Sequence, residues 1–301
     1  MYGDQVSLPQ LVQADLDRYC DVQSMVGDAP MLAFPKPPTN NLDRHIEVTE
    51  GRHALDSGLG DVMIIFAESV HVHDVSTGAS LPEGYWMFLR QCRMERCPKL
   101  GEVFPRGSDE FKELETLWVS DLLMACWICG KGGYCRFNNG SFRKLHHLRL
   151  RCCPRLQFVL PVRFDSFPSL ETLHIIHCGH LRHIFVLNDY WFREDISTKL
   201  RVAFPKLTTI HLHDLPELQQ ICEFKMVAPN LKTIKIRGCW GLRRLPVVGA
   251  RSRDMKKPTV EIEKDVWDAL EWDEEVAPGH FEAPLHSRYY KKKLPRVSVL
   301  R

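Results

Sequence analysis

The sequence has no long hydrophobic run. The longest clear one covers residues 62–67, far short of the ~18 apolar residues that a membrane-spanning helix needs. Residues 1–5 also lack the basic flank and apolar stretch of a secretory signal. We therefore expect a cytoplasmic protein with no membrane partner.

A surplus of charge of one sign is missing as well. The 301 residues carry 40 lysines and arginines against 38 aspartates and glutamates, a net charge of +2. Charge alone therefore indicates neither a nucleic acid nor a membrane surface as partner. The chain is 44% hydrophobic and 26% charged, which is typical of a folded globular protein. Its 11 cysteines are odd in number and spread along the chain, which favours reduced thiols over a disulfide framework.

The motifs of common catalytic and nucleotide-binding sites are absent too. There is no G-x-S-x-G nucleophile elbow, no H-E-x-x-H helix and no G-x-x-x-x-G-K-[ST] phosphate-binding loop. The glycine-rich residues 130–133 lack the spacing of that loop, and His45 with Glu47 has no P-C-x-x-C partner of a zinc deaminase. We therefore expect no enzymatic activity, no cofactor and no catalytic residues.

What the sequence does have is a repeated pattern. Residues 167–184 read FPSLETLHIIHCGHLRHI, which follows the L-x-x-L-x-L-x-x-[N/C]-x-x-L spacing of a leucine-rich repeat. Six more segments share its strand core, and successive units begin 22 to 37 residues apart. The seven cores begin at Val70, Cys92, Leu117, Leu148, Leu173, Ile210 and Ile234. The longer intervals indicate loops inserted between units.

This pattern predicts an α/β leucine-rich-repeat solenoid. Each unit supplies one short strand that cannot bury its apolar face alone, so neighbouring units must stack. We expect parallel strands on a concave face and irregular or short helical segments on the convex side. Residues 62–250 would form this solenoid, and residues 1–61 a divergent segment with a possible helix near 9–24 and a proline-rich loop. Residues 251–301 would form a cap and a basic tail, with Trp267, Leu270 and Trp272 covering the end of the stack.

One further position recurs three residues after the second core residue. It is occupied by Cys97, Leu122, Cys153, Cys178, Leu215 and Cys239. A small side chain with a weak hydrogen-bonding group suits the tight bend that follows the strand. These four cysteines are therefore expected to be structural.

Metal binding is the alternative reading of several histidines and cysteines. The sequence H-x-H-D occurs at residues 71–74 and 211–214, but five strand spacings of about 4.8 Å put the two copies roughly 24 Å apart. The repeat explains them, although a local zinc site at His174, His211 and His213 stays open. Cys126 and Cys129 form a C-x-x-C without a second pair at zinc-site spacing. The favoured prediction is no metal.

The candidate binding surface lies on the outward positions of the strands. The residue between the two core positions is never acidic in the seven units, and the next outward position is mostly cationic or histidine. We predict a basic concave face for a protein with acidic character, with Trp118 as anchor; a merely solvated sheet face is the alternative. The predicted contact residues are His71, Arg93, Trp118, Arg149, Arg151, His174, His211, His213, Lys235 and Arg237.

Two segments carry a resemblance to a known family. Residues 204–218, FPKLTTIHLHDLPEL, and 229–242, PNLKTIKIRGCWGL, resemble the C-terminal repeats of plant nucleotide-binding leucine-rich-repeat disease-resistance proteins. The F-P-x-L phrasing and the ending RYYKKKLPR are especially similar to cereal members. The resemblance covers about residues 62–301. Because the phosphate-binding loop is absent, it implies a recognition region without the nucleotide-binding domain.

The resemblance also implies a function in plant intracellular immunity. The partner would be a protein ligand, either a pathogen effector or a nucleotide-binding module held inactive. The alternative is a substrate-recognition subunit of a ubiquitin ligase, which would need a helical adaptor-binding module that residues 1–61 do not clearly supply. Nucleic-acid binding is less favoured and would show strong salt dependence.

Overall fold

The computed structural model describes residues 35–37, 42–49, 57–78, 80–105, 111–129, 141–162, 167–187, 201–249 and 256–286. The chain divides into two units, Met1–Ala33 and Phe34–Arg301, and every described residue belongs to the second. The possible helix near 9–24 and the basic end of the chain lie outside the described residues.

Short β-strands make up most of the regular structure. The strands are β1 His45–Val48, β2 Ser69–His73, β3 Gln91–Glu95, β4 Glu102–Phe104, β5 Thr116–Ser120, β6 Trp127–Cys129, β7 His147–Arg151, β8 Leu160–Val162, β9 Thr172–Ile176, β10 His183–Leu187, β11 Arg201–Ala203, β12 Thr209–His213, β13 Gln220–Cys222, β14 Lys225–Val227, β15 Thr233–Arg237, β16 Thr259–Ile262 and β17 Leu285–His286. The helices are α1 Ser57–Phe66 and α2 Lys264–Asp268, with a 3-10 turn at Pro278–His280. Neither α1 nor α2 is long and apolar enough to cross a membrane.

Ten strands form one parallel sheet in the order β1-β2-β3-β5-β7-β9-β12-β15-β16-β17. All seven predicted strand cores lie in it and in register, so that Val70 pairs with Cys92 and Val72 with Met94. The core residues of every unit are buried because successive side chains alternate between the two sides of a strand. The predicted solenoid is therefore confirmed. Strands β1, β16 and β17 extend the sheet beyond residues 62–250 on both sides.

The opposite side of the solenoid is built mainly from short strands. They pair in parallel as β4-β6, β8-β10-β13 and β11-β14. Most are three residues long, and each pairs with the corresponding segment of another unit, as Arg201 does with Lys225. The described part of this side is thus more regular than the irregular or helical segments that the sequence predicts.

A left-handed residue ends each of the seven repeat strands. The residues are Asp74, Arg96, Asp121, Cys152, His177, Asp214 and Gly238, with φ between 51° and 67°. The backbone N–H groups of the first six continue the ladder into the next unit, as Asp74 N donates to Glu95 O at 3.1 Å. The chain then turns inward, and the next residue of each unit is buried.

The predicted structural role of the bend cysteines is confirmed. Cys97, Cys153, Cys178 and Cys239 are all buried. Each thiol donates to the carbonyl oxygen two residues back, at 3.3 to 3.6 Å. The cysteine therefore provides a second donor for the last carbonyl of the strand, which also accepts from the left-handed residue of the preceding unit.

A column of phenylalanine rings runs through the interior. Phe111, Phe142, Phe167 and Phe204 each lie six residues before the first core residue of their unit and are fully buried. Their ring centroids are 5.3, 5.9 and 5.9 Å apart in succession, with nearly parallel planes. We call these four rings the phenylalanine spine. It links four successive units directly.

The last repeat is closed by an aromatic cluster and one carboxylate. Trp267 packs against Trp272 at 4.9 Å and against Phe281 at 6.2 Å. The N–H of Gly238 donates to Glu263 Oε1 at 2.8 Å, where earlier units use the carbonyl of the next strand. Burial raises the pKa of Glu263. A side chain thus completes the ladder at the position where the repeat strands end.

Candidate protein-recognition surface

The outward side chains of the ten-stranded sheet form straight rows across the strands. We call this side the sheet face. The strand register places seven predicted residues side by side in one row: His71, Arg93, Trp118, Arg149, His174, His211 and Lys235. The same row begins with Glu47 and continues to Glu261. A carboxylate therefore lies on each flank of the basic row.

Glu95 organises the first half of the sheet face. Its carboxylate accepts hydrogen bonds from Arg93 at 2.8 Å and from the indole N–H of Trp118 at 2.8 Å. Its Oε2 also lies 3.4 Å from His71 Nε2. Burial would raise the pKa of Glu95, but these hydrogen bonds outweigh it and hold the pKa at about 2. Glu95 is therefore an anion that neutralises this part of the row.

The geometry of Trp118 differs from that of an exposed anchor. Only 4% of the residue is accessible, because its N–H is turned toward Glu95. The ring lies beneath the guanidinium of Arg149, with the guanidinium carbon 6.0 Å from the ring centroid. Trp118 thus supports Arg149 by a cation–π contact and offers little surface of its own.

Besides Arg93, which pairs with Glu95, two more of the predicted cations have carboxylate partners. Arg237 forms a short ion pair with Glu261, and Arg151 lies 3.6 Å from Asp121. The positive potential that the sequence predicts along the whole face is therefore partly cancelled at these positions.

The uncompensated charge lies in the middle of the row. No carboxylate forms an ion pair with Arg149 or Lys235 among the residues that the structure describes. Between them His174 and His211 stack face to face, with ring centroids 4.3 Å apart and planes 7° apart. We call Arg149, His174, His211 and Lys235 the central row.

The two stacked histidines are neutral at physiological pH. Burial, reinforced by His211 and Arg149, lowers the pKa of His174 to about 3. Burial, reinforced by Lys235, lowers the pKa of His211 to about 4. The stacked pair His174 and His211 is consequently a flat neutral platform between the two cations of the central row. With strands about 4.8 Å apart, three spacings separate the cations by roughly 14 Å.

His213 lies beside this platform and is also neutral. It is 8% exposed, and burial, reinforced by His177, lowers its pKa to about 4. With His174 and His211 it forms no metal-ligand group by distance within the described part of the chain. Nor do Cys126 and Cys129 form one there, since Cys129 is buried and the Cys126 thiol donates to Met124 O.

Sequence reasoning missed the two flanking carboxylates. Glu47 and Glu261 occupy the residue between two apolar positions in H-I-E-V and T-V-E-I, the same position that defines the row in every unit. The apolar–glutamate–apolar alternation could have placed both residues in the row. It was not recognised because neither segment carries the rest of the repeat pattern.

Comparison with known proteins gives a family resemblance for the repeats. Residues 130–252 match the leucine-rich repeats of RPS2-like plant disease resistance proteins. Three Arabidopsis thaliana disease resistance proteins are 29%, 26% and 27% identical over 177, 108 and 131 residues. These alignments cover 55%, 35% and 43% of this chain but 13%, 11% and 12% of the relatives. No solved structure matches.

Residues 130–252 are thus similar to leucine-rich repeats of the plant disease resistance type. The resemblance drawn from the repeat phrasing is confirmed to that extent. Its likeness to cereal members and the absence of a nucleotide-binding domain stay predictions.

Proposed function

We propose that this chain is a protein-recognition module of plant intracellular immunity and that it acts in the cytoplasm by binding, without catalysis. Its partner is a protein ligand with an acidic segment, either a pathogen protein or a nucleotide-binding module that it holds inactive. The observation that carries this proposal is the central row, where two cations that have no carboxylate partner among the described residues flank a neutral stack of histidines. The resemblance of residues 130–252 to disease resistance repeats supports the immune setting.

The central row suits an extended acidic segment for three reasons. Arg149 is partly desolvated, which strengthens its attraction for a carboxylate. Trp118 supports its guanidinium from below, so less side-chain freedom is lost on binding. The histidine rings provide a flat surface on which aliphatic or planar groups can lie. Carboxylates roughly 14 Å apart would reach both cations at once.

Charge reversal tests this proposal. The double variant Arg149→Glu/Lys235→Glu should bind a glutamate-rich peptide at least ~30-fold more weakly, because two attractive charge pairs become repulsive. Fluorescence anisotropy with a labelled peptide measures the affinity. The double variant should also fail to co-precipitate a nucleotide-binding module of the disease resistance family expressed with it in leaf tissue.

Lys99→Glu/Lys206→Glu is the matched control. Both lysines are exposed and lie outside the strands of the large sheet. Because each variant replaces two cations with two glutamates, the control has the same net charge as the test variant. It should retain wild-type affinity for the peptide. Equal binding by the two double variants would contradict the proposal. Tighter binding of a DNA duplex than of the acidic peptide would instead favour a nucleic-acid partner.

A further inference from the structure

A cluster of two histidines and a glutamate lies at the β1–β2 end of the sheet face, away from the central row. Glu47 Oε1 is 3.4 Å from His71 Nδ1 and 3.0 Å from His73 Nε2. The three residues offer one ligand atom each, and these atoms all lie within 4.8 Å of one another. No other such group of three occurs in the described part of the chain.

These separations fit tetrahedral coordination. Zinc binds imidazole nitrogens and carboxylate oxygens at about 2.0–2.2 Å, so two ligand atoms at tetrahedral positions are about 3.3 Å apart. The observed separations of 3.0 and 3.4 Å lie on either side of this value. A metal ion could therefore enter with small movements of Glu47, whose side chain is 53% exposed.

The outer nitrogens of both histidines meet carboxylates. His73 Nδ1 lies 2.7 Å from Asp74 Oδ2, and His71 Nε2 lies 3.4 Å from Glu95 Oε2. In metal sites such partners hold the ring and keep the proton on the outer nitrogen, which leaves the inner one free to bind metal. Both inner nitrogens here face Glu47.

The outer carboxylates are themselves fixed. Arg96 donates to both oxygens of Asp74 at 2.6 and 2.7 Å, and Arg93 donates to Glu95 at 2.8 Å. Each imidazole thus has a carboxylate at both ring nitrogens. A neutral imidazole can donate to only one of them, so either a second ring proton or a metal ion beside Glu47 would satisfy the other.

We propose that Glu47, His71 and His73 bind one divalent transition-metal ion, with zinc as the best match to this ligand set. Three protein ligands leave a fourth position for water or for a group of a binding partner. Bound metal would join β1 to β2, since Glu47 and His71 are paired in the strand register. Zinc and copper are favoured over manganese or magnesium because two ligands are imidazoles.

The second H-x-H-D sequence provides an internal comparison. His211, His213 and Asp214 repeat the order of His71, His73 and Asp74. The strand before them places His174 beside His211, where Glu47 lies beside His71. The histidine pair alone is therefore not the site. The glutamate of the preceding strand completes it.

Cobalt and zinc titration of the full chain tests this inference. Wild-type protein should bind one Co²⁺ with the visible absorption of a nitrogen- and oxygen-ligated tetrahedral site, and Zn²⁺ should displace it. Glu47→Gln and His73→Gln should each weaken Zn²⁺ binding at least ~100-fold by calorimetry, because each removes a ligand. Asp74→Asn should weaken it ~10–100-fold because it removes the carboxylate that holds the outer nitrogen of His73, and asparagine tolerates the left-handed backbone at this position.

His213→Gln is the matched control and should leave Zn²⁺ affinity unchanged. Circular dichroism establishes that each variant is folded, and Glu47→Gln is the safest because its side chain is exposed. Lack of Zn²⁺ binding by the wild type would overturn the proposal. So would wild-type Zn²⁺ affinity in both Glu47→Gln and His73→Gln, or an intense near-ultraviolet thiolate band with Co²⁺.

Discussion

At the residue scale, position within the repeat sets the chemistry of a side chain. His73 and His213 occupy the same position in their units. Carboxylates at both ring nitrogens raise the pKa of His73, with Asp74 the stronger influence. Burial lowers the pKa of His213 to about 4. The difference comes mainly from the hydrogen bond between His73 and Asp74 and from the burial of His213, with a smaller contribution from Glu47 on the strand before His73.

The three buried neutral histidines predict acid sensitivity. Their pKa values in the folded protein, about 3 for His174 and about 4 for His211 and His213, lie below the ordinary value of 6.5. The unfolded chain therefore binds more protons between about pH 6.5 and 4. Their contribution to stability is full above pH 6.5 and is lost as the pH falls through this window, by up to about 1.4 kcal/mol per pH unit for each histidine.

Urea unfolding at pH 7, 6, 5 and 4 measures this effect. His211→Gln should reduce the slope of the free energy of unfolding against pH, because about one proton fewer is taken up on unfolding. His180→Gln is the control because that side chain is 64% exposed. A slope that is the same in His211→Gln and wild type would contradict the assignment of a neutral, buried His211.

At the element scale, each strand depends on the next for its terminal hydrogen bonds. Left-handed residues from Asp74 to Asp214 donate their N–H to the following repeat strand. Gly238 is the last of the series and donates to the side chain of Glu263 instead. The side chain of Glu263, directly after β16, therefore takes the place of the strand carbonyl that accepts this hydrogen bond in the earlier units.

Removal of this carboxylate should destabilise the end of the solenoid. Glu263→Ala leaves the buried N–H of Gly238 without an acceptor, which costs about 1–3 kcal/mol. Glu263→Gln keeps an oxygen at the same place and should lose much less. Hydrogen exchange at Gly238, together with urea unfolding, measures both effects. Equal losses in the two variants would show that packing, and not the hydrogen bond, is what matters there.

At the scale of the whole molecule, the repeats behave as a stack of nearest neighbours. The phenylalanine spine is the most direct link, since Phe167 contacts Phe142 at 5.9 Å and Phe204 at 5.9 Å. Phe167 also contacts Phe185 at 5.0 Å, and Phe185 belongs to β10 on the side of the solenoid opposite the large sheet. One ring thus ties three units and both sides of the solenoid together.

Truncation of this ring should be among the costliest single changes. Phe167→Ala is expected to lose about 3–5 kcal/mol, because the cavity is enclosed by rings that cannot collapse into it. Tyr85→Ala, at a residue 58% exposed, should change stability by less than about 0.5 kcal/mol. In urea unfolding, a loss below about 1 kcal/mol for Phe167→Ala would contradict the role of the spine.

Much of the solenoid could be predicted from the sequence because its signals are periodic. Alternation fixed the strand cores such as Leu173 and Ile175, and constant spacing identified the bend cysteines. The strands of the opposite side, such as Arg201–Ala203, are too short for alternation to be visible. The candidate surface was predicted as a row of residues that is basic along its length, whereas Glu95 neutralises part of it. Side-chain direction decides this pattern of charge, as when Trp118 turns toward Glu95.

The central claim, that the central row binds an acidic segment by charge complementarity, is tested most directly by exchanging the charges of both partners. Affinities of wild type and Arg149→Glu/Lys235→Glu should be measured for a glutamate-rich peptide and for the same peptide with lysine at each glutamate. The account predicts that the variant loses the acidic peptide and gains the basic one by at least ~10-fold over wild type. A variant that loses the acidic peptide without gaining the basic one would contradict it.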